Sequence, residues 1–211
     1  MKRVKVKICG LTRVEDVQAA VAAGADAIGF VFTASPRRIT AQKAVELSRY
    51  IPEGILRIGL FLDQQRAEID AVLSAVPLDV LQFHGRESRQ QCSVFGVPFL
   101  KAVAMQDEHS ARQAELDYPN AVGLVLDSHT AGKAGGSGKV FDWDLLSPLS
   151  HDLWLAGGLN ADNVARAVDT VKPYAVDVSS GVESSPGIKD AAMIEAFIKA
   201  VRRQDESESD D

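Results

Sequence analysis

The sequence has only two cysteines in 211 residues, Cys9 and Cys92, with no C-x-x-C spacing. Neither a disulfide scaffold nor a zinc knuckle is open to it, and a reducing compartment suits it. Its four histidines, His84, His109, His129 and His151, are scattered, and no metal site is expected. Long apolar runs are missing too: Ala27 to Phe32 and Ile58 to Leu62 are strand-sized, far short of the roughly 20 residues of a membrane span. The opening MKRVKVKICG has no apolar segment behind its basic residues, so no signal peptide is read there and a cytoplasmic protein is expected. Basic charge is also scarce. Acidic residues number 29 against 23 Lys and Arg, and Asp205, Glu206, Glu208, Asp210 and Asp211 all fall in the final seven positions. The remaining body is nearly neutral and gives nucleic acid or an anionic membrane no electrostatic footprint.

What is present is a composition of 46% hydrophobic and 25% charged residues, ample for a globular core. Short β-branched runs alternate with stretches of helical spacing along the whole chain, the pattern of βα units around a parallel sheet. Eight strands can be drawn, ending near Cys9, Phe32, Leu62, His84, Val103, Asp127, Gly157 and Ser179. At about 26 residues per unit there is little room for insertions, which favours a compact single-domain (βα)8 TIM barrel over an open doubly wound sheet. The barrel is expected over residues 1–203. The segment 204–211, QDESESDD, has no apolar residue and is expected to be a disordered acidic tail.

In such a barrel the active site lies at the C-terminal ends of the strands. Cys9 closes the first strand, where the ordinary role of a free cysteine is that of a small buried hydrophobe. Asp127 closes the sixth, where it can also cap the following segment. Strand seven runs into Ala156-Gly157-Gly158-Leu159-Asn160 and strand eight into Ser179-Ser180-Gly181. Backbone N–H groups of two such turns, aimed at one point, make an anion site, and these two loops hold phosphate in many barrels. Gly132 to Lys139 imitates a nucleotide-binding loop, but Lys133 and Val140 stand where that motif needs Gly and Ser or Thr. It reads instead as a glycine-hinged loop able to close over the site. Arg37 and Arg38, after strand two, offer guanidinium groups that can clamp a carboxylate.

Together these blocks resemble the phosphoribosylanthranilate isomerase family. The similarity runs through Val6 to Thr12, Gly24 to Phe32, Ser35 to Ile39, Leu81 to Gly85, Leu126-Asp127, Gly135 to Lys139, Phe141 to Trp143, Ala156 to Asn160 and Val176 to Glu183. Phe83 departs from it, standing where an aliphatic residue is commoner. The resemblance implies a cofactor-free Amadori rearrangement of N-(5-phosphoribosyl)anthranilate. It assigns Cys9 as general base, Asp127 as general acid, Arg37 to the anthranilate carboxylate, and Gly157, Gly158, Ser180 and Gly181 to the phosphate. The expected partner is this small phosphorylated substrate, with the chain a monomer or a homodimer. Two other readings stay open: the analogous isomerase of histidine biosynthesis, which uses an aspartate where Cys9 stands, and a catalytically silent barrel that senses a phosphorylated metabolite.

Strand alternation adds one expectation. Lys7 shares a face with Cys9, and barrel closure sets Asp177 of strand eight level with it. A lysine inside the barrel needs a partner, so a Lys7–Asp177 ion pair is expected, biasing Cys9 toward thiolate. The alternative is that Lys7 reaches the rim or faces the helices.

Overall fold

In a computed structural model of the protein, residues 3–107, 109–127, 143, 146 and 149–207 are described. Eight parallel strands close into a barrel: β1 (Lys5–Cys9), β2 (Ala27–Val31), β3 (Leu56–Phe61), β4 (Val80–Phe83), β5 (Phe99–Ala104), β6 (Gly123–Asp127), β7 (Asp152–Leu155) and β8 (Ala175–Val178). Among the described residues, six of the intervals carry helices: α1 (Val14–Ala23), α2 (Ala41–Ser48), α3 (Arg66–Ala75), α4 (Arg89–Ser93), α5 (Ser110–Asp117) and α6 (Val164–Val171), with α7 (Ala191–Ser207) after β8. A small antiparallel hairpin, β9 (Glu183–Ser185) and β10 (Ile188–Lys189), lies between β8 and α7.

Strand alternation divides the apolar residues into two cores. Val6, Ile8, Ile28, Phe30, Leu81, Leu124, Val176 and Val178 pack outward against the helices. Ala27, Ile58, Val80, Leu100, Val125, Trp154, Ala156 and Ala175 fill the barrel itself. Following that inner parity toward the C-terminal ends leads to Cys9, Gln82, His84, Asp127, Asp177 and Ser179. The apolar plug thus carries the polar groups on its upper surface. At the opposite end, Asp26 accepts from Val6 N at 2.9 Å and Arg202 Nη2 at 2.9 Å, tying α7 to the first two strands and closing the ring.

The expected barrel and its eight strands are present, with ends within two residues of those read from the sequence. The largest difference is at β7, which stops at Leu155 because Gly157 and Gly158 both take positive φ (86° and 67°) and leave the extended conformation. Helix α7 runs to Ser207, past the expected boundary at 203, so residues 204–207 continue its backbone. Gln and Glu there are good helix formers extending a turn already nucleated. The glycine-hinged loop at Gly132 to Lys139 lies outside the described residues.

Candidate active site

A cavity opens at the C-terminal mouth, walled by Cys9, Arg37, Gln82, His84, Asp127, Gly157, Gly158, Asp177, Ser179 and Ser180 among others. Six of the seven residues singled out in the sequence therefore face one space. The seventh, Gly181, stands behind the wall. A Cβ there would lie 1.9 Å from the carbonyl oxygen of Leu159, so Gly181 lets the loops after β7 and β8 touch. Asn163 Nδ2 donates to the Gly158 carbonyl at 2.9 Å, fixing the first of those turns from outside the cavity.

Cys9 and Asp127 are both buried (6% and 7% exposed) and reach the cavity from β1 and β6. The register of β1 on β8 sets Lys7 opposite Asp177, and Lys7 Nζ donates to Asp177 Oδ2 at 2.7 Å with the lysine side chain wholly buried. The expected pair is therefore formed inside the barrel. Burial by itself would lower the Lys7 pKa, but Asp177 and Cys9 together outweigh it and raise it above that of an ordinary lysine. The expected bias of Cys9 is only partly met. Burial pushes the thiol up, Lys7 and Lys189 pull it down, Asp177 pushes it up, and the balance lies above an ordinary thiol. The cations moderate the cost of forming the thiolate without abolishing it.

Several wall residues were not read as functional from the sequence. His84 Nε2 lies 3.5 Å from Asp127 Oδ2, and Gln82 Nε2 lies 3.4 Å from His84 Nδ1. Gln82 thus bears on one ring nitrogen and Asp127 on the other, so the imidazole is held between an amide and a carboxyl group. The signal was available: two polar side chains at alternate positions at the end of an otherwise apolar strand. Arg37 and Arg38 separate, the first lining the cavity and the second exposed; Arg37 sits in a turn beyond β2 in which its backbone N–H donates to Ser35 Oγ at 3.1 Å.

A closed parallel barrel whose mouth gathers a thiol, a carboxyl group, a guanidinium and paired glycine turns has the layout of a (βα)8-barrel enzyme with acid–base groups and room for an anionic substrate. Comparison with known proteins makes this particular. Residues 6–200 match the family N-(5'phosphoribosyl)anthranilate (PRA) isomerase. The chain is 51% identical over 211 residues to the N-(5'-phosphoribosyl)anthranilate isomerase of Pseudomonas aeruginosa strain UCBPP-PA14, covering 98% of this chain and all of that one. Among solved structures, the phosphoribosyl anthranilate isomerase of Thermotoga maritima is similar with a TM-score of 0.85 and 40% identity over 95% of this chain and 99% of that one. Similar too, each with 38% identity and the same coverages, are monomers of the dimeric Thermotoga maritima enzyme (TM-score 0.82) and an isomerase in complex with reduced 1-(o-carboxyphenylamino)-1-deoxyribulose 5-phosphate (TM-score 0.81). The chain belongs to the PRA isomerase family and is an enzyme of tryptophan biosynthesis.

Proposed function

We propose that the isomerisation of N-(5'-phosphoribosyl)anthranilate to 1-(2-carboxyphenylamino)-1-deoxyribulose 5-phosphate is carried by Cys9 and Asp127 acting on the two atoms of the sugar that flank C1, the base at C2 and the acid at the ring oxygen. The observation that carries this reading is that thiol and carboxyl, from β1 and β6, wall the same cavity as Arg37 and the glycine turns. Asp127, acting as general acid, donates to the furanose ring oxygen, which takes the C1–O electron pair as the anthranilate nitrogen's lone pair forms C1=N, giving an open-chain iminium. Cys9 thiolate then removes the C2 proton, the C–H pair forming C1=C2 while the C1=N pair returns to nitrogen, to give a neutral enaminol. Loss of the O2 proton and protonation of C1 complete the ketose. Acid and base must approach different atoms at once, and separate strands supply that spacing.

Arg37 grips the anthranilate carboxylate. The phosphate lies on the turns of Gly157, Gly158 and Ser180, with Gly181 contributing the close approach that brings those turns together. The reduced thiol that the base requires suits a cytoplasmic enzyme. The chain acts as a monomer or a homodimer, and the likeness to monomers of a dimeric isomerase is compatible with both. No described helix is long and apolar enough to cross a membrane.

The test uses the purified chain with substrate generated in situ, following the loss of anthranilate-type fluorescence. Cys9→Ser and Asp127→Asn should each lower kcat by at least about a hundredfold with the fold intact. Near-normal turnover in either variant removes that residue from the mechanism, and a silent wild type restores the sensor reading.

A further inference from the structure

The hairpin after β8 carries a carboxylate that none of the steps above uses. Glu183, its side chain 4% exposed, is saturated with donors. Its Oε1 accepts from Arg37 Nε at 2.7 Å, Lys189 Nζ at 2.8 Å and Gly187 N at 3.3 Å, while Oε2 accepts from Arg37 Nη2 at 2.7 Å. The two bonds to Arg37 form a side-on fork. A guanidinium has five N–H donors in one plane, so the fork leaves three, and the edge between the two terminal nitrogens remains for a second carboxylate.

Glu183 is itself anchored. Lys189 Nζ, fully buried, also donates to the Ser179 carbonyl at 2.9 Å and Oγ at 3.3 Å, and Ser179 Oγ donates to the Cys9 carbonyl at 3.1 Å. Thr12 Oγ1 donates to the Gly187 carbonyl at 2.6 Å, and Arg13 Nη2 to that of Lys189 at 3.2 Å. The hairpin is thus pinned to the loop after β1 and to the end of β8. Room for the arginine stem comes from Gly10, whose φ is +76° and where a Cβ would sit 2.5 Å from Arg37 Cδ. Two cations share one carboxylate, so the cluster keeps one surplus positive charge beside the cavity.

We propose that Glu183 is the positioning residue for Arg37: it holds the guanidinium so that the free edge meets the substrate's aromatic carboxylate, and thereby sets the preference for a carboxylated amine. This rests on the assignment of Arg37 to that carboxylate. A residue that merely stapled loops together would affect carboxylated and carboxyl-free ligands alike.

The experiment compares two stable ligands by calorimetry, reduced 1-(2-carboxyphenylamino)-1-deoxyribulose 5-phosphate and its carboxyl-free phenylamino counterpart, on wild type, Arg37→Ala and Glu183→Gln. The amide of Glu183→Gln sets an N–H donor against the arginine fork. The preference for the carboxylated ligand should fall by about tenfold, and binding of the carboxyl-free ligand should change by less than about twofold. Equal weakening of both ligands overturns the proposal. An Arg37→Ala variant that keeps the preference overturns instead the assignment of Arg37 on which it rests. If Glu183→Gln does not fold, Glu183→Asp serves: it keeps the charge but withdraws the fork by roughly one C–C bond, about 1.5 Å, and the same loss of preference is expected.

Discussion

Replacing Lys7 with Met breaks a buried ion pair from one side. The ammonium sits wholly inside the barrel, 2.7 Å from Asp177 Oδ2, and Asp177 Oδ1 has no hydrogen-bond partner among the described residues. Lys7→Met therefore strands a buried carboxylate with neither oxygen compensated by this pair. Removing one partner of such a pair costs about 3–5 kcal/mol, whereas replacing both with apolar groups is often close to neutral. Against a typical domain stability of about 5–15 kcal/mol the single loss is large. The double variant Lys7→Met/Asp177→Leu should recover most of it. Urea unfolding with an unchanged slope reports the stabilities, and the non-additivity of the cycle isolates the pair. The same variants test the electrostatics at Cys9. Loss of the Lys7 cation and exposure of the thiol to an unneutralised Asp177 both disfavour thiolate, so the midpoint of Cys9 alkylation against pH should move upward in Lys7→Met, read by peptide mapping to separate Cys9 from buried Cys92. A single-variant loss below about 1 kcal/mol, or no gain from the double, would refute the structural argument, and an unmoved midpoint would refute the electrostatic one.

Three further outcomes follow from the loops. Gly181→Ala drives a Cβ to 1.9 Å from the Leu159 carbonyl, so overpacking should cost about 1–3 kcal/mol in unfolding measurements and weaken binding of the phosphorylated product analogue; an unchanged Kd removes Gly181 from the phosphate turns. Gly158→Ala, at φ 67°, should raise KM more than it lowers kcat, because the phosphate is bound alike in ground and transition states; a pure kcat effect contradicts that assignment. Glu115 on α5 accepts from Ser150 N at 2.6 Å, Ser150 Oγ at 2.8 Å and Arg112 Nη1 at 3.1 Å. Although burial alone would raise it, these donors and His151 hold its carboxyl at about 2 instead of 4.5. Its folded pKa is depressed, so its stabilisation is present above pH 4.5 and is lost as pH falls toward about 2. Glu115→Gln should flatten the pH dependence of stability in that window, and an unaltered acid limb would show that the carboxylate contributes nothing there.

The barrel was legible in the chain because its cause is local and repetitive: eight short apolar runs at nearly even spacing, each ending in polar or glycine residues, admit few arrangements. Alternation with a period of two fixed which residues face inward, and one closure of the ring then set Lys7 beside Asp177 although 170 positions separate them. Arg37 over Arg38 came from the family resemblance, because Arg37 lies in a turn beyond β2 where alternation does not apply. Other features depended on distances that no pattern encodes. The net state of Cys9 is a contest between burial and three neighbouring charges, and its sign follows only from their placement. Sequence places Gly181 with the phosphate turns, but its close approach to the Leu159 carbonyl is set by packing alone. Glu183 and Lys189 belong to a hairpin with no periodic signature, and Glu183, bonded to Lys189, meets Arg37 across 146 positions. Sequence by itself determined the strands, their inward faces and the chemistry gathered at their ends, because backbone geometry repeats along the chain. Tertiary structure decided which charges share one carboxylate and which thiol is sealed from water, because those energies depend on ångström separations between elements that only packing sets.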